Sequence, residues 1–202
     1  VTQLAQLLGE RLRAEDAQMP TNKVTGKPIE WPDQVVGKSS AVRVACLGDS
    51  ITFGTGASAP ERYSYPAQLA ALLGSGYEVR HFGVGGTTLL AEGDKPYRRQ
   101  PQWQAALDFD PDVVLLLLGA NDTCGAPRNN WDRSAAFVPD ARSLLQSLRR
   151  PGRRVIVALP SPFYPATPGL KPERKEDLEA RSPRLELIRG WWWEAARAET
   201  AE

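Results

Sequence analysis

The sequence predicts an α/β domain built on a central parallel sheet, and three observations predict it. Val113-Val114-Leu115-Leu116-Leu117-Leu118 is an unbroken apolar run within a strand at 112–118, as expected of a central parallel strand covered on both faces. Strand-like segments alternate along the chain with segments whose apolar residues recur at helical spacing. Three of the strand ends close in glycine-containing turns that carry polar side chains: Gly48-Asp49-Ser50, Gly83-Val84-Gly85-Gly86 and Gly119-Ala120-Asn121-Asp122.

Taken in order, residues 1–16 read as a helix with Leu4, Leu7, Leu8 and Leu12 on one face. Residues 17–40 carry Pro20, Gly26, Pro28, Pro32 and Gly37 without periodicity and read as an irregular connector, with Trp31 as a hydrophobic tack. The domain proper, 41–202, begins with a strand at 42–48. Ser64-Tyr65-Pro66 opens a helix carrying Leu69, Leu72 and Leu73, which Gly74 and Gly76 close. A second strand covers 77–82, and residues 99–109 read as a helix with Trp103, Ala106, Leu107 and Phe109 inward. After the third strand comes a long helix with Ala136, Leu144, Leu145 and Leu148, then a fourth strand at 155–159. A proline-rich loop is expected over 160–183, followed by a helix with Leu185, Ile188, Trp191, Trp192 and Ala195. Two members of the Trp191–Trp193 triple continue that apolar stripe, which favours core packing over a carbohydrate platform.

Such alternation predicts a flavodoxin-like order, in which strand two lies on one side of strand one and strand three on the other. Ligands bind where the chain reverses direction, at the carboxyl ends of those strands. Ser50 and Asn121 leave two of these ends.

Composition narrows the function classes. With 42% hydrophobic residues, 24% charged residues and a formal net charge of +1, there is no electrostatic case for nucleic acid or an anionic membrane. Arg149-Arg150-Pro151-Gly152-Arg153-Arg154 reads as a solvated turn. No apolar run approaches the roughly 18 residues of a membrane span. Cys46 and Cys124 are expected to be free thiols, so compartment stays open. The sequence starts at Val1 without a charged-then-apolar leader, so any targeting segment is expected to be absent or removed.

A serine lifted off a strand end suits nucleophilic chemistry. Its own backbone N–H, that of Gly86 and the side-chain amide of Asn121 form a set of donors for an oxyanion, each worth roughly 3–4 kcal/mol in hydrolases. Glycine at 86 would allow the oxyanion to come close. Asp49 and Asp122 are expected to tie the loops by accepting backbone hydrogen bonds. Each motif also has a plainer reading: Gly-Asp-Ser as a turn, Asn-Asp as a helix cap, the glycine run as a phosphate loop. Thr88 stands where a dinucleotide fingerprint needs its last glycine, and Thr52 breaks a G-x-S-x-G elbow.

Together, in this order over about residues 42–160, the three blocks resemble the first three sequence blocks of the SGNH (GDSL-type) hydrolases. The resemblance implies a three-layer fold, Ser50 as nucleophile and an oxyanion hole of Ser50, Gly86 and Asn121, with no metal or organic cofactor. The Ser64-Tyr65-Pro66 and Asn130-Trp131 neighbourhoods are similar to members that remove O-acetyl groups from carbohydrates, which implies a small-molecule or glycan ester as partner. The family's last block, an Asp-x-x-His after a fifth strand, has no counterpart, and His81 is the only histidine. His81 stands in the second block, where a loop-structuring role is expected. Without a base a serine hydroxyl is a poor nucleophile, and losing a triad histidine costs about a millionfold in turnover. Three explanations fit: a longer esterase of which this is a part, which is preferred; a silent ester- or glycan-binding module; or a base supplied by a partner. A lipase or thioesterase would keep the chemistry but need an apolar acyl groove. The open edge of strand four would be covered by a second copy of the chain or by the N-terminal arm.

Overall fold

The computed structural model describes residues 41–200. The helix expected at 1–16 and the connector with Trp31 lie outside the described residues. Four strands, β1 (Val42–Gly48), β2 (Tyr77–Gly83), β3 (Val113–Leu117) and β4 (Arg154–Val157), form one parallel sheet in the order β2-β1-β3-β4. This is the expected order, and it puts the reversal of direction between β1 and β3. The longer helices are α1 (Tyr65–Leu73), α2 (Pro101–Asp108), α3 (Phe137–Leu148) and α4 (Pro172–Thr200), and single helical turns cover Ser50–Phe53 and Pro60–Tyr63.

Side chains alternate across each strand, so each face of the sheet collects its own core. Ala45 and Leu47 of β1, Val114 and Leu116 of β3, and Leu118 just beyond β3 are buried among Trp103 of α2, Phe137 and Leu144 of α3, and Ile188 and Trp192 of α4. Val44, Cys46, Val113, Leu115 and Leu117 point the other way, against Tyr65 and Leu69 of α1. Both cysteines are buried free thiols, as expected, and burial pushes the Cys46 thiol up to about 12. Trp192 is fully buried and donates its indole N–H to Leu118 O at 2.9 Å, fixing α4 against the exit of β3. Trp191 stacks on Trp131, while Trp193 is exposed. No described helix is long and apolar enough to cross a membrane.

The structure differs from the sequence reading at two helix starts. The loop expected over 160–183 ends early, because α4 begins at Pro172 and runs through Pro183. Proline is well placed at a first helical position, and the hydrogen bond lost at Pro183 is outweighed by tertiary contacts of the preceding turns, where Leu178 and Arg181 are buried. Ala136, expected on the apolar stripe of α3, is exposed in a 3₁₀ stretch, Trp131–Ala136, and Phe137 takes the buried position instead.

Candidate active site

The turn after β1 is built from close contacts. Gly48 admits no side chain, since a Cβ there would lie 2.1 Å from Thr52 Oγ1 and 2.5 Å from Leu117 O. Asp49 caps the single helical turn Ser50–Phe53, its Oδ1 accepting the Ile51 N–H at 2.9 Å. Ser50 is therefore the first residue of that turn, half-buried, on the chain segment leaving β1. Thr52 is buried beneath it, with its hydroxyl 3.1 Å from that of Tyr65 on α1.

Asn121 opens a 3₁₀ turn, Asn121–Thr123, just beyond β3. Its Nδ2 donates to Thr87 O at 3.0 Å and, more weakly, to Asp49 Oδ2 at 3.4 Å, so the loops after β1, β2 and β3 are laced together. Asp122 has no solvent exposure and accepts the backbone N–H groups of Leu89 and Leu90 at 3.1 and 2.8 Å. Burial pushes the carboxyls of Asp49 and Asp122 up, to about 6 and about 7, against the downward pull of the N–H groups they accept.

Gly86 has φ +79°, and a Cβ there would meet only the end of Arg128, 4.0 Å away. The glycine is needed for its left-handed backbone rather than for room. Neither the backbone N–H of Ser50 nor that of Gly86 donates a hydrogen bond among the described residues.

Ser50 and Asn121 line one cavity of about 360 Å³. Its wall continues through the Cys124–Arg128 loop to Phe163 and to Arg174, Asp177 and Arg181 of α4. Gly86 is not in that wall but borders it through Arg128, which donates to Gly86 O. Arg181 is buried and reaches Ala120 O at 2.8 Å, Thr123 Oγ1 at 2.9 Å and Asp177 Oδ2 at 3.0 Å, with Phe163 under its guanidinium. It pins α4 to the segment that presents Asn121. Arg128 and Arg181 escaped the sequence reading, because an arginine in a loop, or one in a stretch taken for a loop, carries no periodic signal.

His81 is exposed on β2, in register with Cys46 and edge-on to Phe53 at 6.0 Å. It does not line the cavity. Among the described residues no cluster of three or more His, Cys, Asp or Glu is arranged to hold a metal ion.

Residues 46–201 match the model of the GDSL-like Lipase/Acylhydrolase family. The chain belongs to this family. A curated relative, an acetylxylan esterase of Xylanibacter ruminicola, is 45% identical over 112 residues, which are 55% of this chain and 23% of that protein. The match thus spans under a quarter of the relative's length. Among solved structures, an aryl esterase of M. smegmatis superposes with TM-score 0.59 at 22% identity, over 79% of this chain and 81% of that one. A carbohydrate acetylesterase family member from Sinorhizobium meliloti gives TM-score 0.59 at 21% identity, over 78% and 79%. At these identities the family's fold, and nothing finer, is shared.

Proposed function

We propose that this chain carries the nucleophile and oxyanion pocket of a serine ester hydrolase acting on short acyl groups, foremost O-acetyl groups on carbohydrate. The observation that carries the reading is the cavity shared by Ser50 and Asn121, which Gly86 borders through Arg128; among the described residues the backbone N–H groups of Ser50 and Gly86 have no acceptor. Unpaired donors at a cavity are matched to an oxygen that gains charge during the reaction. Ser50 Oγ attacks the acyl carbonyl, its proton passes to a base, and the carbonyl oxygen becomes an oxyanion among the three donors. The ester C–O bond then breaks, the base returns the proton to the departing alcohol oxygen, and water hydrolyses the remaining acyl-serine to the free acid and Ser50. Asp49 and Asp122 hold the loops rather than react. The scheme calls for no metal or organic cofactor.

Cavity chemistry supports a small acyl group on a polar alcohol. The wall carries Arg128, Arg174, Arg181 and Asp177, which is poor surroundings for a long acyl chain and argues against the lipase or thioesterase reading. The acetylxylan esterase similarity supports an acetylated sugar. One observation favours the rival, a silent ester- or glycan-binding module: the sole histidine is not at Ser50. On the enzyme reading the base comes from another group. Acetate release from acetylated xylo-oligosaccharide, compared with hydrolysis of p-nitrophenyl acetate and p-nitrophenyl palmitate, tests the assignment. Turnover of the two acetyl esters, lost in Ser50→Ala, is expected. Binding of the oligosaccharide with no Ser50-dependent release of acetate would leave the binding module.

A further inference from the structure

We propose that Arg128 is a positioning residue of the oxyanion pocket: held by Asp94, its guanidinium sets the Asn121 amide and the Gly86 carbonyl so that the donors face the acyl oxygen. The inference rests on the ester-hydrolase reading, since it assigns a role inside that site.

Guanidinium offers five N–H donors in a fixed plane and accepts nothing. Here Nε and Nη2 grip the two oxygens of Asp94 at 2.6 and 2.8 Å, Nη1 donates to Asn121 Oδ1 at 3.0 Å, and Nη2 also reaches Gly86 O. One rigid group therefore touches both of the elements that supply non-serine donors. Together with the Thr87 carbonyl, the contact decides which way the Asn121 amide points. Arg128 can only donate, so Oδ1 must face it; Thr87 O can only accept, so Nδ2 must face that side. A flipped amide would place an oxygen where the pocket needs a donor, turning attraction for an oxyanion into repulsion. At Gly86 nothing but backbone is present, and the hydrogen bond to its carbonyl limits the drift that a glycine at positive φ permits.

Asp94 is itself held. Fully buried Asn130 donates Nδ2 to Asp94 Oδ1 at 2.8 Å and to Asn121 O at 3.1 Å, and its Oδ1 accepts the Asp94 N–H at 2.8 Å. Arg128 holds the Asp94 carboxyl below its ordinary range, so the clamp stays charged at neutral pH. The pair sits at the rim, with side-chain exposures of 29% and 34%, where ion pairs add little to stability. Its orientation toward Asn121 and Gly86, rather than folding, is what substitution disturbs.

The test uses the full chain and the variants Arg128→Met, Arg128→Lys and Asp94→Asn, each compared with Ser50→Ala on p-nitrophenyl acetate. Arg128→Met is expected to lower kcat about 100-fold with KM within about threefold, as for a misplaced transition-state donor. Arg128→Lys should recover about a tenth of the lost rate or less, because a point charge cannot span Asp94, Asn121 and Gly86 together. Asp94→Asn should shift kcat in the same direction by about tenfold. A kcat within about twofold of wild type in Arg128→Met, or a loss confined to KM, would overturn the proposal. A second readout needs no turnover. The Asn121 side-chain amide pair in a ¹H–¹⁵N spectrum, assigned by its loss in Asn121→Asp, should move in Arg128→Met while the backbone amides of β1 and β3 stay in place; an unmoved pair would overturn it. If wild type shows no Ser50-dependent hydrolysis, the ester-hydrolase reading fails and the amide signals alone decide the role of Arg128.

Discussion

Replacing Asp122 tests whether the three loops are held together as described. Its carboxyl is fully buried and accepts two backbone N–H groups, from Leu89 at 3.1 Å and Leu90 at 2.8 Å. Asp122→Asn keeps one acceptor and turns an NH₂ group toward the other N–H. One buried donor is then unpaired, at a cost of about 1–3 kcal/mol. Asp122→Ala strands both donors, for roughly 2–6 kcal/mol, partly offset because a carboxyl that burial disfavours is removed. The assay is urea unfolding followed by circular dichroism and by tryptophan fluorescence, with coincident transitions required. The expected ranking is wild type, then Asn, then Ala. Both variants within about 0.5 kcal/mol of wild type would refute the claim that these hydrogen bonds fasten the 87–90 loop to the exit of β3.

Two further outcomes are expected. With the folded pKa values of Asp49 and Asp122 raised from 3.8 to about 6 and about 7, the folded chain keeps protons that the unfolded chain has released between about pH 4 and 7. Their contribution to stability is therefore complete below about pH 4 and is lost as pH rises through the folded values, by up to about 4 kcal/mol for Asp122. Urea titrations at pH 5 and pH 8 should show the pH dependence flattened in Asp122→Asn, and an unchanged slope would count against the burial argument. Trp192→Ala, which empties a fully buried site and orphans Leu118 O, should cost about 3–5 kcal/mol, while exposed Trp193→Ala should stay within about 0.5 kcal/mol; thermal unfolding of the two variants checks the contrast.

Much of the fold was legible because periodicity reports burial. The apolar run of β3 marked the sheet centre, whereas the split of Val44 and Cys46 from Ala45 and Leu47 across the two faces came from the structure, since those four residues are all apolar. Gly48 was legible as a turn, though its cause, the Thr52 hydroxyl and Leu117 carbonyl pressed against it, depends on contacts that a sequence does not display. The start of α4 was illegible because Pro183 reads as a break, and the contacts that carry the helix past it come from Leu178 and from Arg181, whose partners Ala120 and Thr123 lie about 60 residues away. Arg128 was hidden for the same reason: Asp94 and Gly86 are 34 and 42 positions distant, and no spacing rule links them. Ser50 and Asn121, expected at neighbouring strand ends, share a cavity wall because parallel strands bring their carboxyl ends together.

The central claim is that Ser50 is a nucleophile served by an oxyanion pocket, in a cavity that the sole histidine, His81, does not line. Its most direct test is p-nitrophenyl acetate hydrolysis by wild type and Ser50→Ala across a series of imidazole concentrations, with imidazole entering the 360 Å³ cavity as a free base. The account predicts that wild type exceeds Ser50→Ala and that the gap widens as imidazole is added. Superimposable rates for the two proteins at every concentration would contradict it.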